Sequence, residues 1–278
     1  MTRRLIARLT PVAFIGVLSL AGCGGAPAAK SVPTEITVAD YSVIAPATIP
    51  ASLVTFNVTN AGKEPHQAAI ARLDSGKTLA DFQTAMKETK GPPPSWIVWM
   101  GGALAGPGAP MSQIAIDLQP GTYVWYCTVP SPDGVPHVMK GMVAAMTVTA
   151  ATGAVVPAPV ADINVTMKDY QWDMSTPPTA GKHMLKIVVD AGSQVHEMVL
   201  VKLAAGKTAQ DFVGWAMKMD GPPPIEQLTG VAGMQAGQVN YLPVEFGAGK
   251  YAMVCFAPDA KDGQPHVAHG MVKEFTVQ

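Results

Sequence analysis

Four residues, histidine, cysteine, histidine and methionine, are written twice in the same order along this chain. No other feature constrains its fold as much. His66, Cys127, His137 and Met142 recur as His196, Cys255, His266 and Met271 at a nearly constant offset. An offset kept over so many positions marks an internal duplication, and each copy is then one structural unit. Repeat one runs from 34 to 150 and repeat two from 161 to 278. Residues 151–160, Ala-Thr-Gly-Ala-Val-Val-Pro-Ala-Pro-Val, form a linker of small residues and proline. Length alone leaves one domain or two open, and the repeat decides for two.

The first 22 residues are set apart from fold reasoning. Met1-Thr-Arg-Arg is basic, an apolar run follows from Pro11 to Leu20, and the segment closes in Leu20-Ala21-Gly22-Cys23. That ending resembles a bacterial lipobox, which implies that 1–22 is a lipoprotein signal peptide and that Cys23 carries the lipid. The apolar run is too short to cross a bilayer as a helix, whereas acyl chains anchor a protein by burying methylenes, each contributing roughly 0.8 kcal/mol. Residues 23–33 then read as a tether, and the remainder is expected to be exported to the periplasmic or extracytoplasmic side. Taking Arg3, Arg4 and Arg8 from the 19 basic residues leaves 16 against 20 acidic ones, a balance of −4. Nucleic-acid recognition wants a basic face, so that class is excluded.

The duplication extends to the secondary-structure pattern. Each repeat opens on a strand, at Ile36 and Val38 or at Ile163 and Val165. A second strand alternates Val54, Phe56 and Val58, matched by Leu185, Ile187 and Val189, the period of two of a half-buried strand. Turns at Asn60-Ala61-Gly62 and Asp190-Ala191-Gly192 precede His66 and His196, and the strands on either side of each histidine are expected to be neighbours. Thr78-Leu-Ala-Asp81 and Thr208-Ala-Gln-Asp211 read as capping boxes. Each opens a short helix, carrying Phe82 with Met86 in one and Phe212 with Trp215 or Ala216 in the other, that runs toward a Gly-Pro-Pro-Pro stop at Gly91 or Gly221. Gly76-Lys77-Thr78 lacks the glycine frame of a phosphate loop and is a helix lead-in. Near the end of each repeat, Tyr123, Trp125 and Cys127, or Tyr251, Met253 and Cys255, share one face of a strand. A final strand follows each methionine.

A soft thiolate, two imidazoles and a weak thioether form the ligand set that suits copper in electron transfer. The residues carrying it are His66, Cys127, His137 and Met142, then His196, Cys255, His266 and Met271, each set closing in His-x-x-x-Gly-Met. On these residues both repeats resemble the cupredoxin, or blue-copper, family. The resemblance implies an all-β fold of two tandem Greek-key sandwiches, each with a short inserted helix. It also implies one copper per domain at most, bound by the four residues named. The departure is the loop from cysteine to the second histidine: nine residues from Thr128 to Pro136 and ten from Phe256 to Pro265 stand there, where familiar members place only a few. A longer loop can return its histidine to the metal or turn it away. Lys140 of repeat one is replaced by His269 in repeat two, a further imidazole, and Met139 reads as loop packing. Cys127 and Cys255 could pair in an oxidising compartment, but nothing in either repeat is built to bring two equivalent strand ends together.

Two functional readings follow. In the first, the chain is a lipid-anchored copper electron carrier serving a photosynthetic or respiratory membrane complex, or a soluble redox protein. In the second, the domains are metal-free and the chain is a structural accessory subunit on the periplasmic face of such a complex, with Pro92–Pro94, Pro222–Pro224, Trp96 and Trp99 as contact surface. Neither reading makes the chain an enzyme. Multicopper oxidase chemistry needs a further histidine-rich cluster, and six histidines cannot readily supply one.

Overall fold

The computed structural model of the chain describes residues 32–88 and 93–278. The leader, Cys23, Gly91 and Pro92 lie outside those residues. The alternating segments form strands as their side chains require. Ser52–Asn60 buries Val54, Phe56 and Val58, and Gly181–Val189 buries Leu185, Ile187 and Val189. Thr34–Ala39 and Ile163–Lys168 each run parallel to that second strand of their own repeat.

The strands then join in a way that overturns the tandem Greek-key sandwiches. They merge into two sheets that both run through the two repeats, one of eight strands and one of nine. In the larger sheet Ile97–Ala105 pairs with Ile225–Met234, with Ala103 opposite Val231 and Met100 opposite Met234. In the smaller, Ser112–Leu118 pairs with Val239–Phe246, with Ile116 opposite Asn240 and Ala115 opposite Tyr241. The chain passes back and forth between the sheets on a solenoid-like path, and two separately closed units do not form. The physical reason lies in the backbone. Each of these strands would otherwise leave a row of unpaired N–H and C=O groups at an edge, and pairing across the repeats satisfies part of each row and covers the edge.

The strands on either side of His66 are not hydrogen-bonded neighbours. Ser52–Asn60 lies in the smaller sheet and His66–Leu73 in the larger, and the same holds for Gly181–Val189 and His196–Leu203. One apolar core drawn from both repeats fills the space between the sheets, with Phe56 set edge-on to Trp125 at 5.0 Å. A second cluster covers the outer face of the nine-stranded sheet beneath the helices.

Those helices span Leu79–Glu88 and Ala209–Ala216. Both start on capping boxes: Asp81 N–H donates to Thr78 Oγ1 at 3.2 Å and Thr78 N–H to Asp81 Oδ2 at 2.8 Å, and Thr208 with Asp211 repeats the pattern. Phe82 and Phe212 are their buried anchors. The second helix stops at Ala216, short of Gly221, where Trp215 Nε1–H instead caps the Gly221 carbonyl at 3.0 Å. Trp99 is not contact surface. It is buried against Phe82 and Tyr126.

Asn240 fastens the joint between repeats. It is fully buried, donates from Nδ2 to the Met100 carbonyl at 2.9 Å, and accepts from the Gly102 N–H at 3.2 Å. Asn240→Leu strips both backbone groups of their partner, and each orphan costs about 1–3 kcal/mol. A loss of about 2–4 kcal/mol is expected in urea unfolding of the full chain. An unchanged midpoint would show that the joint does not depend on this side chain.

Candidate metal centres

The long loop after each cysteine closes on itself. Ser131 N–H donates to Val135 O at 3.0 Å, His137 N–H to Val129 O at 2.9 Å, and Val138 N–H to Cys127 O at 2.7 Å. These rungs carry the extra residues outward as a small hairpin and return His137 beside Cys127. Repeat two does the same through Asp259 N–H to Gln264 O at 2.8 Å, His266 N–H to Ala257 O at 2.9 Å and Val267 N–H to Cys255 O at 2.8 Å. Each histidine then starts a short 3-10 turn, His137–Lys140 or His266–His269. Gly141 and Gly270 end these turns at φ of 100° and 90°, a conformation that favours glycine. The next residue is the methionine, whose N–H bonds back to the histidine carbonyl at 3.0 Å in both repeats.

In repeat one, His66 Nδ1 lies 3.0 Å from His137 Nδ1, and Cys127 Sγ lies 3.4 Å from His137 Nδ1. In repeat two, Cys255 Sγ lies 3.4 Å from His266 Nδ1 and 3.8 Å from His196 Nδ1. All six side chains are buried, as are Met142 and Met271. An ion with bonds of about 2.0 Å to nitrogen and 2.3 Å to sulfur sets its ligand atoms about 3–4 Å apart. The observed separations fall in that range, so each trio can hold one metal ion. The trios are separate and each has a mononuclear ligand set, unlike the clustered centre of a multicopper oxidase. Both cysteines are free thiols.

Carboxylates orient most of the rings from behind. His66 Nε2 meets Asp40 Oδ1 at 3.1 Å, His137 Nε2 meets Glu64 Oε2 at 2.7 Å, and His196 Nε2 meets Asp169 Oδ1 at 3.0 Å. A ring that donates its Nε2–H to a carboxylate presents an unprotonated Nδ1, the form a metal needs. In repeat one, two such Nδ1 atoms and the Cys127 sulfur face one point, an arrangement matched by a cation there. Repeat two breaks the pattern at its second imidazole. Gln194 stands where Glu64 does, and the acid has moved to Asp259 in the cysteine–histidine loop. Asp259 is held by the Tyr170 hydroxyl and by Gln194 Nε2, and its Oδ2 stays 3.8 Å from His266 Nε2. His266 Nε2 has no hydrogen-bond partner among the described residues.

Burial sets the electrostatics of both sites. It pushes the Cys127 thiol up to about 12 and raises Cys255 further, so either sulfur needs a cation before it gives up its proton. Burial also lowers His66 and His196, and takes His266 down to about 4 with help from the neighbouring His196. Burial thereby favours the neutral, ligating form of these three imidazoles. His269 pairs with exposed Asp262 at 3.2 Å, as Lys140 pairs with Asp133 at 2.7 Å, and does not join the sulfur site. Sequence reasoning missed Asp40, Glu64, Asp169 and Asp259. The recurrence of Asp-Tyr at 40–41 and 169–170 was the available signal for two of them.

No protein-family model and no curated protein matches the chain. Among solved structures, it is similar to dithionite-reduced auracyanin from the photosynthetic bacterium Roseiflexus castenholzii. That match is 20% identical over 43% of this chain and 99% of the other, at a TM-score of 0.28. An auracyanin B structure is 16% identical over 44% and 93%, at 0.30. A blue copper oxidase from Nitrosomonas europaea is 13% identical over 88% and 84%, at 0.24. Likenesses this slight assign neither fold nor ligand, and the ligand geometry stands by itself.

Proposed function

We propose that this chain is an electron carrier that holds one copper ion in each repeat unit, 34–150 and 161–278, tethered through a lipid on Cys23 at the extracytoplasmic side of a membrane. The observation that carries the reading is the twofold convergence of two imidazole Nδ1 atoms and one cysteine sulfur in a buried pocket. His66, Cys127 and His137 would hold one ion and His196, Cys255 and His266 the other, with the buried Met142 and Met271 as the weak thioethers of the set. Copper so held supplies one-electron chemistry between its cuprous and cupric states.

The protein's part is to keep the ligands still. Each first histidine is fixed by its strand and a carboxylate, and each second histidine by the hairpin that returns it. Cys127 Sγ also accepts the Gln67 N–H at 3.2 Å and Cys255 Sγ the Glu197 N–H at 3.4 Å, which spreads charge away from the thiolate. The two sites are separate and mononuclear, which suits one-electron transfer better than multicopper oxidase chemistry. The partner is a photosynthetic or respiratory membrane complex or a soluble redox protein facing the same compartment.

Copper(II) added to the folded, reduced protein is expected to give an intense thiolate-to-copper band. Cys127→Ala should remove about half of its intensity and Cys255→Ala the other half, since each site has one thiolate. A folded, reduced chain that binds copper without this band would refute the thiolate-ligated site, and one that binds none would leave the metal-free accessory reading in its place.

A further inference from the structure

Gln67 and Glu197 occupy the same place in their repeats, each directly after the first histidine. Each donates its backbone N–H to the sulfur of its own site, at 3.2 and 3.4 Å. Their side chains then reach across the joint and meet, Gln67 Nε2 donating to Glu197 Oε2 at 2.9 Å. Both residues are buried. Their other polar atoms are also engaged. Gln67 Oε1 accepts the Thr128 N–H at 3.3 Å and hydroxyl at 2.9 Å, and Glu197 Oε1 accepts the Phe256 N–H at 3.1 Å. One sulfur is thus joined to the other through two residues and their hydrogen bonds.

A packing role alone does not ask for this pair. A carboxylate taken from water is costly to bury, and an apolar pair of similar size would fill the space without that cost. A continuous polar route has a different use, because electron tunnelling falls off less steeply through bonds and hydrogen bonds than through gaps. Resting on the copper reading, we infer that the two sites are joined electronically through Gln67 and Glu197. One electron passes along this bridge from a cuprous ion in one site to a cupric ion in the other. The first ion is oxidised by one electron and the second reduced by one, and no bond or proton is exchanged. The sites are unequal, since carboxylates hydrogen-bond both imidazoles in repeat one and a single imidazole in repeat two. That inequality gives the exchange a direction.

The test uses the full copper-loaded chain, pulse-reduced with less than one equivalent of a small radical reductant while the thiolate bands are followed. The Cys127→Ala and Cys255→Ala chains assign each band. The expected result is a second phase whose rate does not depend on protein concentration and which both single-site chains lack. In the double variant Gln67→Leu/Glu197→Leu, which strands no carboxylate, this phase should slow by about tenfold or more. Copper(I) affinity at each site, read by chelator competition, should change by less than about threefold, so that slowing reports the bridge and not the ligands. Absence of the phase in the native chain, or an unchanged rate in the double variant with both bands intact, overturns the inference. Absence of the bands themselves refutes the copper reading, and the bridge with it.

Discussion

Gly230→Ala is expected to cost about 4 kcal/mol or more, enough to leave much of the chain unfolded where the native protein is stable. Gly230 sits in the strand Ile225–Met234 at a φ of +141°, and a Cβ built there meets the Met198 carbonyl oxygen at 1.9 Å. The obstacle is backbone of the paired strand, which no rotamer change can move aside. Strain at such a φ alone costs about 1–3 kcal/mol, and parting two strands in mid-sheet adds to it. Gly102 repeats the arrangement, at φ +126° with the Ala68 oxygen 2.1 Å away, so Gly102→Ala should be about as damaging. Thermal and denaturant unfolding of both variants checks this. A variant within about 1 kcal/mol of the native chain would mean that the strands open there at little cost.

The single substitution Gln67→Leu is expected to destabilise the protein more than the double substitution Gln67→Leu/Glu197→Leu. Removing the glutamine amide alone leaves Glu197 Oε2, the Thr128 N–H and the Thr128 hydroxyl without the partners they have in the native chain. Thr128 is exposed and water can take up its two groups, so the buried carboxylate sets the size, and a loss of about 1–3 kcal/mol follows. Replacing both partners removes the stranded carboxylate and should recover about half of that loss. Urea unfolding of the native, single and double variants closes a mutant cycle on the pair. If the double variant is as unstable as the sum of its two single variants, Gln67 and Glu197 do not act as a unit.

What could be read in advance was local or periodic. The alternation of Val54, Phe56 and Val58 determines which face is buried whatever the strand pairs with, and Thr78 with Asp81 marks a helix start within four residues. The ordered quartets were visible because duplication repeats them. The fold class was not visible, because pairing Ala103 with Val231 depends on which edges two similar units present to each other, and no local pattern records that. The return of His137 depended on Val129–His137 and Ser131–Val135 rungs inside a loop whose turn residues allow several closures. The Gln67–Glu197 contact is harder still. The two residues are far apart in the chain, and a glutamine or glutamate beside a histidine on a strand ordinarily faces water.

A protein cut down to either repeat alone would carry bare strands, Ile97–Ala105 and Ser112–Leu118 in one fragment and Ile225–Met234 and Val239–Phe246 in the other. Such a fragment is adhesive. It would take up a second copy and rebuild the joint as a dimer, or go on adding copies where the geometry fails to close. Keeping both copies on one polypeptide turns that encounter into an event within a molecule, independent of concentration and closed to strangers. It also ties the fate of the two metal sites together. Heating cannot empty one by melting its half and spare the other, and a single transition should carry away both.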